Sequence, residues 1–155
     1  LAGTPVTLAD GSTKPIEEIK VGDIILAYDE NAGLVKPDAV KRTFIFPEEE
    51  EYLVINNHIK VTPQHRFAIV GSNLANLTRL EEGGLEWREA GELKIGDKLI
   101  TSKDKLEPIT SIERVEAKVT VYNLEVNPYN TFIADGVVVH NMSLLPTPMG
   151  LVLAK

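Results

Sequence analysis

Ile19-Lys20-Val21-Gly22-Asp23 recurs in the second half of the chain as Leu93-Lys94-Ile95-Gly96-Asp97. In both copies, a segment able to make one helical turn leads to a Gly-Asp turn and then to a short apolar run, residues 24–27 or 99–100. Each copy looks like one supersecondary unit, and two such units predict a pseudo-symmetric sheet assembly. Shared turn chemistry is the alternative explanation for so short a match.

Strand signals dominate the rest of the chain. Short runs rich in β-branched and aromatic residues, bounded by turn residues, occur at residues 24–28, 52–55, 67–70 and 119–122. Helical periodicity is nearly absent, because Pro, Gly or strand-forming residues interrupt every candidate segment. Only residues 15–20 and 88–94 are predicted to make a single turn each. The sequence therefore predicts an all-β fold with little helix.

Three residue pairs between these runs predict hairpins. Asp10-Gly11, Asn56-Asn57 and Asp135-Gly136 each tolerate the positive φ that two-residue hairpin turns require. The last residues, 142–155, contain two prolines and a glycine and lack predicted hairpin partners. We interpret them as a separate flank.

Composition narrows the class of protein. The 155 residues suit one domain with at most a tail, and 43% hydrophobic with 25% charged residues is typical of a globular chain. The net charge of −7 disfavours nucleic acid as a partner, and the run Glu48-Glu49-Glu50-Glu51 is most simply a solvated loop. No apolar run approaches the ~20 residues that cross a bilayer, so we expect no membrane partner. The absence of cysteine excludes disulfides and cysteine zinc sites, and no feature predicts a cellular location.

The most informative junction is an apolar strand, residues 137–139, that ends in His140-Asn141-Met142. An asparagine carboxamide can attack its own peptide carbonyl, close a succinimide and release the next residue as a free amine, if an acid protonates the leaving nitrogen. Asn141 is the candidate nucleophile and His140 its helper. The alternative is an ordinary turn after a strand.

A second motif places Thr62 three positions before His65 at the entry to a strand. Histidine transfers protons in either direction near neutral pH, and a nearby hydroxyl or N–H can hold a carbonyl oxygen. Alone, the motif also suits a histidine beside a proline turn.

Together with the opening segments 2–11 and 14–23, these motifs resemble Hint domains of inteins and of bacterial intein-like proteins. Residues 62–65 look like the family's Thr-x-x-His block, and residues 121–126 and 132–141 look like its two C-terminal blocks. The resemblance covers residues 1–141 in order. It implies a pseudo-two-fold, horseshoe-like β-fold with adjacent termini, and the family's internal duplication would explain the repeat.

The resemblance also implies a self-acting, single-turnover reaction without cofactor or ATP. An N-terminal Cys or Ser makes an acyl shift, the residue after the domain takes the acyl group, and the asparagine cyclises. By matching position, His65 would protonate the leaving amine at the N-terminal junction beside Leu1, and Thr62 would bind or strain that peptide. Asn141 would cyclise with help from His140. The substrate is the chain's own flanks, here residues 142–155, and we expect a monomer with no metal.

Four departures from the family pattern concern activity. Leu1 has no group able to attack a carbonyl, so the nucleophile is expected upstream of Leu1, or removed or replaced. Met142 stands where splicing needs Cys, Ser or Thr. Asn123 and Asn130 stand where many inteins carry an aspartate and a histidine, and asparagine cannot shuttle protons. The predicted reaction is therefore cleavage between Asn141 and Met142 rather than complete splicing.

The sequence leaves three other interpretations. The chain could be an inactive Hint scaffold or partner-binding module, with the apolar flank 142–155 as a docking peptide. A metal site of His58, His65 and His140 lacks ligand spacing, and His58 is most simply a hairpin surface residue. Sterol transfer, known in animal relatives, needs a lipid-binding region that the flank does not resemble.

The splicing interpretation makes a geometric prediction. Leu1, His65 and Asn141 should converge, because exchange between two junctions requires both within bonding reach. The strand ending at Val139 should run beside the strand of residues 6–8, with residues 62–65 above both.

Overall fold

The structure is a computed structural model that describes residues 1–70, 85–103 and 105–141 in full, and the backbone of residues 143–147 and 150–154. The strands are β1 (Pro5–Thr7), β2 (Thr13–Pro15), β3 (Ile24–Asp29), β4 (Leu34–Ile55), β5 (Ile59–Val61), β6 (Arg66–Val70), β7 (Leu85–Glu89), β8 (Lys98–Ile100), β9 (Leu106–Pro108), β10 (Ile112–Val126), β11 (Thr131–Ala134), β12 (Val137–His140), β13 (Ser143–Thr147) and β14 (Gly150–Ala154). The helical elements of the described ranges are two 3-10 turns, Ile16–Glu18 and Ala90–Glu92. The all-β prediction is confirmed.

The repeated motif folds the same way twice. Each 3-10 turn is followed by a glycine in the left-handed region, Gly22 at φ 92° and Gly96 at φ 99°, a conformation that a side chain would strain. The next aspartate then accepts a hydrogen bond from the lysine backbone N–H three residues earlier, at 2.9 Å for Asp23 and 2.8 Å for Asp97. These paired contacts make the repeat a structural duplication, as the pseudo-two-fold prediction requires.

The three predicted hairpins form, but two of their loops are longer than the predicted two residues. The Asp135-Gly136 pair joins β11 to β12 as a two-residue turn with both φ angles positive. The loop that joins β1 to β2 spans residues 8–12, because Thr7 pairs with Thr13, and of Asp10-Gly11 only Gly11 has a positive φ. Between β4 and β5 the loop has three residues, because Ile55 pairs with Ile59 and His58 joins Asn56-Asn57 in the connection.

Two open sheets build the domain. The larger has the strand order β2-β1-β11-β12-β6-β8-β9, with β7 also paired to β6. The smaller has the order β10-β4-β3, with β5 also paired to β4. A buried core between them includes Val6, Ile25, Ile55 and Leu99, none with exposed area. Full burial of such a side chain stabilises the fold by about 1.5–3 kcal/mol.

The prediction of a solvated loop at Glu48–Glu51 is wrong, because these residues lie inside the long strand β4. Their partner strand is β10, with Glu51 opposite Glu116 and Glu49 opposite Val119. Pairing costs little desolvation here, since Glu48 and Glu50 stay exposed, and the Glu51 carboxylate accepts a hydrogen bond of 2.8 Å from Arg114. A run of like charges therefore does not prevent strand formation where both faces of the strand are accessible to solvent.

The flank also differs from expectation. Residues 143–147 and 150–154 form their own two-stranded sheet, β13 with β14, whereas the sequence predicted no hairpin partner. Their side chains and Met142 lie outside the described residues, as does the predicted docking role of the flank. Among the described residues, none forms a helix of the length and apolarity needed to cross a membrane.

Candidate functional site

Asn141 follows β12 and is held almost completely out of solvent. It is 2% exposed, its backbone N–H donates to the Asn130 carbonyl at 2.9 Å, and its carboxamide Nδ2 donates to the Val126 carbonyl at 2.7 Å. Its Oδ1 has no hydrogen-bond partner. The carboxamide is thus oriented through its nitrogen, the atom that a cyclisation would use.

His140 contacts the peptide carbonyl that follows it. Its Nδ1 lies 2.7 Å from the carbonyl oxygen of Asn141. Because a carbonyl oxygen only accepts, Nδ1 must carry the hydrogen in this contact. Arg66 Nη2 lies 3.4 Å from the same Nδ1, and this is no hydrogen bond while Nδ1 is protonated, since a guanidinium only donates.

Trp87 packs edge-on against His140, with ring centroids 5.0 Å apart and planes at 89°. The Trp87 indole N–H donates to Glu30 at 2.6 Å, which fixes the ring. Burial lowers the pKa of His140 from 6.5, and the charge of Arg66 acts in the same direction, while the bond to Asn141 and the charge of Glu30 oppose them. His140 is therefore mainly neutral at pH 7.

Two backbone hydrogen bonds hold the loop that carries Thr62 and His65 against the second 3-10 turn. The backbone N–H groups of Ala90 and Gly91 donate to the carbonyls of His65 and Pro63, both at 2.8 Å. A Cβ at Gly91 would lie 3.3 Å from the Cβ of Pro63, so this close approach favours glycine. The duplicated unit thus positions the histidine.

Thr62 and His65 stand between two cavities. One is lined by residues that include Thr62, His65, Asn123, His140 and Asn141. The other is lined by Leu1, Thr62, His65, Phe132 and others. The structure thereby brings Leu1, His65 and Asn141 around adjoining spaces.

The environment of His65 strongly favours its neutral form. Burial lowers the pKa of His65 from 6.5 to about 4, with further lowering from the α-amino group of Leu1, from His140 and from Arg66. Phe67 and Phe132 pack edge-on against its ring, at 5.9 Å and 6.4 Å between centroids. His65 is neutral at pH 7 and is able to accept a proton.

The predicted strand adjacency is wrong. β12 pairs with β11 and β6, and β1 pairs with β11 and β2, so β11 separates β12 from β1. The reason is the tight turn at Asp135-Gly136, which makes β11 the immediate neighbour of β12. β11 therefore lies between β1, which follows Leu1, and β12, which precedes Asn141.

The two asparagines predicted to support the site differ in placement. Asn123 is 6% exposed and lines the cavity with Asn141, and its Oδ1 accepts the Leu124 N–H at 2.8 Å. Asn130 is exposed in a left-handed conformation at φ 59° and contributes its backbone carbonyl to Asn141. Its side chain is not among the residues that line the two cavities.

Sequence reasoning missed Arg66 and Trp87. Both touch His140 only because β6 pairs with β12 and with β7 in a particular register. Neither Arg66 nor Trp87 is close to His140 in the sequence.

His58, predicted as a hairpin surface residue, is exposed and contacts Glu107 at 3.1 Å and Asp135 at 3.5 Å. Within the described ranges, no three His, Asp or Glu side chains are placed to hold a metal ion.

Comparison with known proteins places this geometry in a family. The profile of the Pretoxin HINT domain matches residues 6–142. The chain belongs to this Hint family. The fold of this Hint domain is also that of the bacterial intein-like domain from Clostridium thermocellum, with a TM-score of 0.75 and 30% identity over 91% of this chain and 96% of that one. The DnaB intein from Synechocystis sp. PCC 6803 has a TM-score of 0.69 at 22% identity, over 91% of this chain and 96% of that one, which shows the same fold.

Two curated proteins match part of the Hint domain. The Tiggy-winkle hedgehog protein of Danio rerio is 29% identical over 116 residues, 69% of this chain and 26% of that protein. Protein RecA of Mycobacterium gastri is 32% identical over 108 residues, 66% of this chain and 25% of that protein. The matched part of the chain thus spans about a quarter of each relative's length. The family and fold support an autoprocessing type of function in general.

Proposed function

We propose that this Hint domain cleaves its own backbone between Asn141 and Met142 by cyclisation of Asn141. The supporting observation is the 2.7 Å contact between His140 Nδ1 and the Asn141 carbonyl oxygen. That carbonyl is the one the Asn141 carboxamide must attack. A hydrogen-bond donor aimed at the oxygen that becomes negative lowers the barrier of such a step.

The step balances with one proton passed to water: Nδ2 of Asn141 releases its proton to water, and the leaving nitrogen of Met142 takes one from His140. Nδ2 of Asn141 attacks its own carbonyl carbon, and a C–N bond and an oxyanion form while Nδ2 loses a proton. When the oxyanion collapses, the peptide C–N bond breaks and the Met142 nitrogen takes up a proton. The products are residues 1–141 ending in a succinimide and a new amino terminus at Met142.

The surroundings of Asn141 favour cyclisation over hydrolysis. The Val126 carbonyl accepts one N–H of the carboxamide, which orients the nitrogen and raises its electron density. The near-complete burial of Asn141 keeps water from competing for the carbonyl carbon.

At the other junction, we propose that His65 and Thr62 act on the peptide bond that precedes an N-terminal nucleophile. A histidine that is neutral at pH 7 first accepts the proton of the nucleophile and then returns it to the leaving amine. The proton-donor role assigned from the sequence is then the second half of a cycle. Leu1 itself supplies no nucleophile.

The direct test is intact-mass spectrometry of the purified chain during incubation at pH 7. We expect loss of residues 142–155 and a remaining fragment one water lighter than simple hydrolysis would leave. A matched variant, Asn57→Gly in the exposed β4–β5 loop, should release the flank at the same rate. An unchanged full mass after prolonged incubation would refute cleavage and favour the scaffold alternative.

A further inference from the structure

His140 Nδ1 faces two neighbours that require opposite protonation states. The Asn141 carbonyl oxygen, at 2.7 Å, bonds only to a protonated Nδ1. Arg66 Nη2, at 3.4 Å, bonds only to an unprotonated Nδ1. Nδ1 can therefore bond to the carbonyl oxygen when it is protonated and to Arg66 when it is not.

We propose that Arg66 is a positioning residue for the cleavage, which binds His140 Nδ1 once the Nδ1 proton has passed to the Met142 nitrogen. This inference rests on the proposed cyclisation of Asn141. It adds a partner for the imidazole in its product state, which the four motif residues do not provide.

The proton transfer is complete within named groups. His140 begins as the imidazolium, the minor form at pH 7. As the Asn141–Met142 bond breaks, its electron pair moves to the Met142 nitrogen, which takes the proton from Nδ1. His140 becomes neutral with its hydrogen on Nε2, and the free Nδ1 lone pair accepts an Arg66 N–H. The proton lost by Asn141 Nδ2 leaves to water.

The setting of Arg66 suits this role. Arg66 lines the same cavity as Asn141, and its Nε is buried with no hydrogen-bond partner. Because the two contacts share Nδ1, the guanidinium lies within about 6 Å of the Asn141 carbonyl oxygen, a range in which a charge acts strongly on its neighbour. It therefore also opposes positive charge on the imidazole and favours release of the proton.

Other charged groups near His140 must be counted in any titration. Glu30 favours the imidazolium and is held by Trp87. His65 and Glu49 also line the cavity that contains His140. A change confined to Arg66 leaves these groups in place.

The first test is an NMR titration of the His140 ring nitrogens in an Asn141→Ala background, which does not need cleavage. Arg66→Met should raise the pKa of His140 and shift its neutral form toward the Nδ1–H tautomer, whereas Arg66→Lys should stay near the parent. If the Met variant does not fold, the neutral Arg66→Gln is measured instead. Arg114→Met, which removes a guanidinium paired with Glu51, is the charge-matched control and should leave His140 unchanged.

The second test is the pH profile of flank release in the chain with Asn141 intact. The rate of release should fall as the pH rises through the pKa of His140, and Arg66→Met should move this falling limb of the profile to higher pH. It should also lower the rate on the low-pH plateau roughly 10-fold. A purely structural role would slow release at every pH without moving the limb. If the parent chain releases its flank while Arg66→Met leaves both the titration and the limb in place, the role of Arg66 is overturned and the cleavage stands. If the parent never cleaves, the proposed function fails, and Arg66 loses its role in cleavage with it.

Discussion

The two ends of the site differ in how many groups of the proposed reaction the described residues supply. At the C-terminal junction, the proposed nucleophile, scissile carbonyl and hydrogen-bond donor all belong to His140 and Asn141. At the N-terminal junction, His65 sits beside Leu1 in a cavity that strongly favours its neutral form, but the Leu1 side chain cannot attack a carbonyl. From this difference we expect the two halves of the proposed chemistry to be separable, with the C-terminal half able to work alone.

The largest effect is expected from Asn141→Ala, which removes the C-terminal nucleophile. Release of residues 142–155 should fall below detection, because only the carboxamide can close the succinimide. Intact-mass spectrometry over a time course measures this. Continued release by the variant would assign the cleavage to a contaminating protease.

His140→Ala should slow the C-terminal cleavage without abolishing it. We expect release to slow roughly 10²-fold, the scale typical of lost acid–base assistance. The carboxamide keeps its bond to Val126, so a residual rate should persist. A rate equal to the parent would move the proton donor to another group.

The N-terminal half can be completed by placing a short peptide and a cysteine directly before Leu1. In an Asn141→Ala background, added thiol should then release the upstream peptide through a thioester. His65→Ala should slow that release by roughly 10-fold or more, while His58→Ala should not. Equal rates for the two histidine variants would remove His65 from the N-terminal step.

The smallest expected effect is on stability. His65 has a folded pKa of about 4 against an ordinary value of 6.5, so between these values the unfolded chain binds more protons. Stability should be highest above pH 6.5 and fall as the pH drops toward 4, by roughly 1–3 kcal/mol. Urea denaturation of Asn141→Ala at pH 7 and pH 4.5 measures the loss, and His65→Gln should reduce it. An equal loss in both proteins would show that the cavity does not exclude charge from His65.

Local sequence signals predicted the parts of the fold that depend on neighbours in the chain. The turn at Asp135-Gly136 formed as expected, because both residues tolerate positive φ. The repeated Gly-Asp units also formed twice. By contrast, Glu48–Glu51 entered a strand against expectation, since pairing with β10 outweighed a local preference for a solvated loop.

The candidate site divides in the same way. The residue types and the order of four residues were sufficient to select them from the sequence as candidate site residues: Thr62, His65, His140 and Asn141. The partners Arg66 and Trp87 were not, because their contacts with His140 depend on the register of β6 against β12 and β7.

The sequence by itself therefore determined the strand-rich architecture, the duplicated unit and the chemical types available at each junction, all of which follow from side-chain identity and short-range backbone preferences. Only the tertiary structure decided that β11 lies between β1 and β12, that His65 is held neutral, and that one nitrogen of His140 is shared by a carbonyl and a guanidinium. These features come from long-range strand pairing and burial, because desolvation and the approach of distant charges exist only after the sheets have packed.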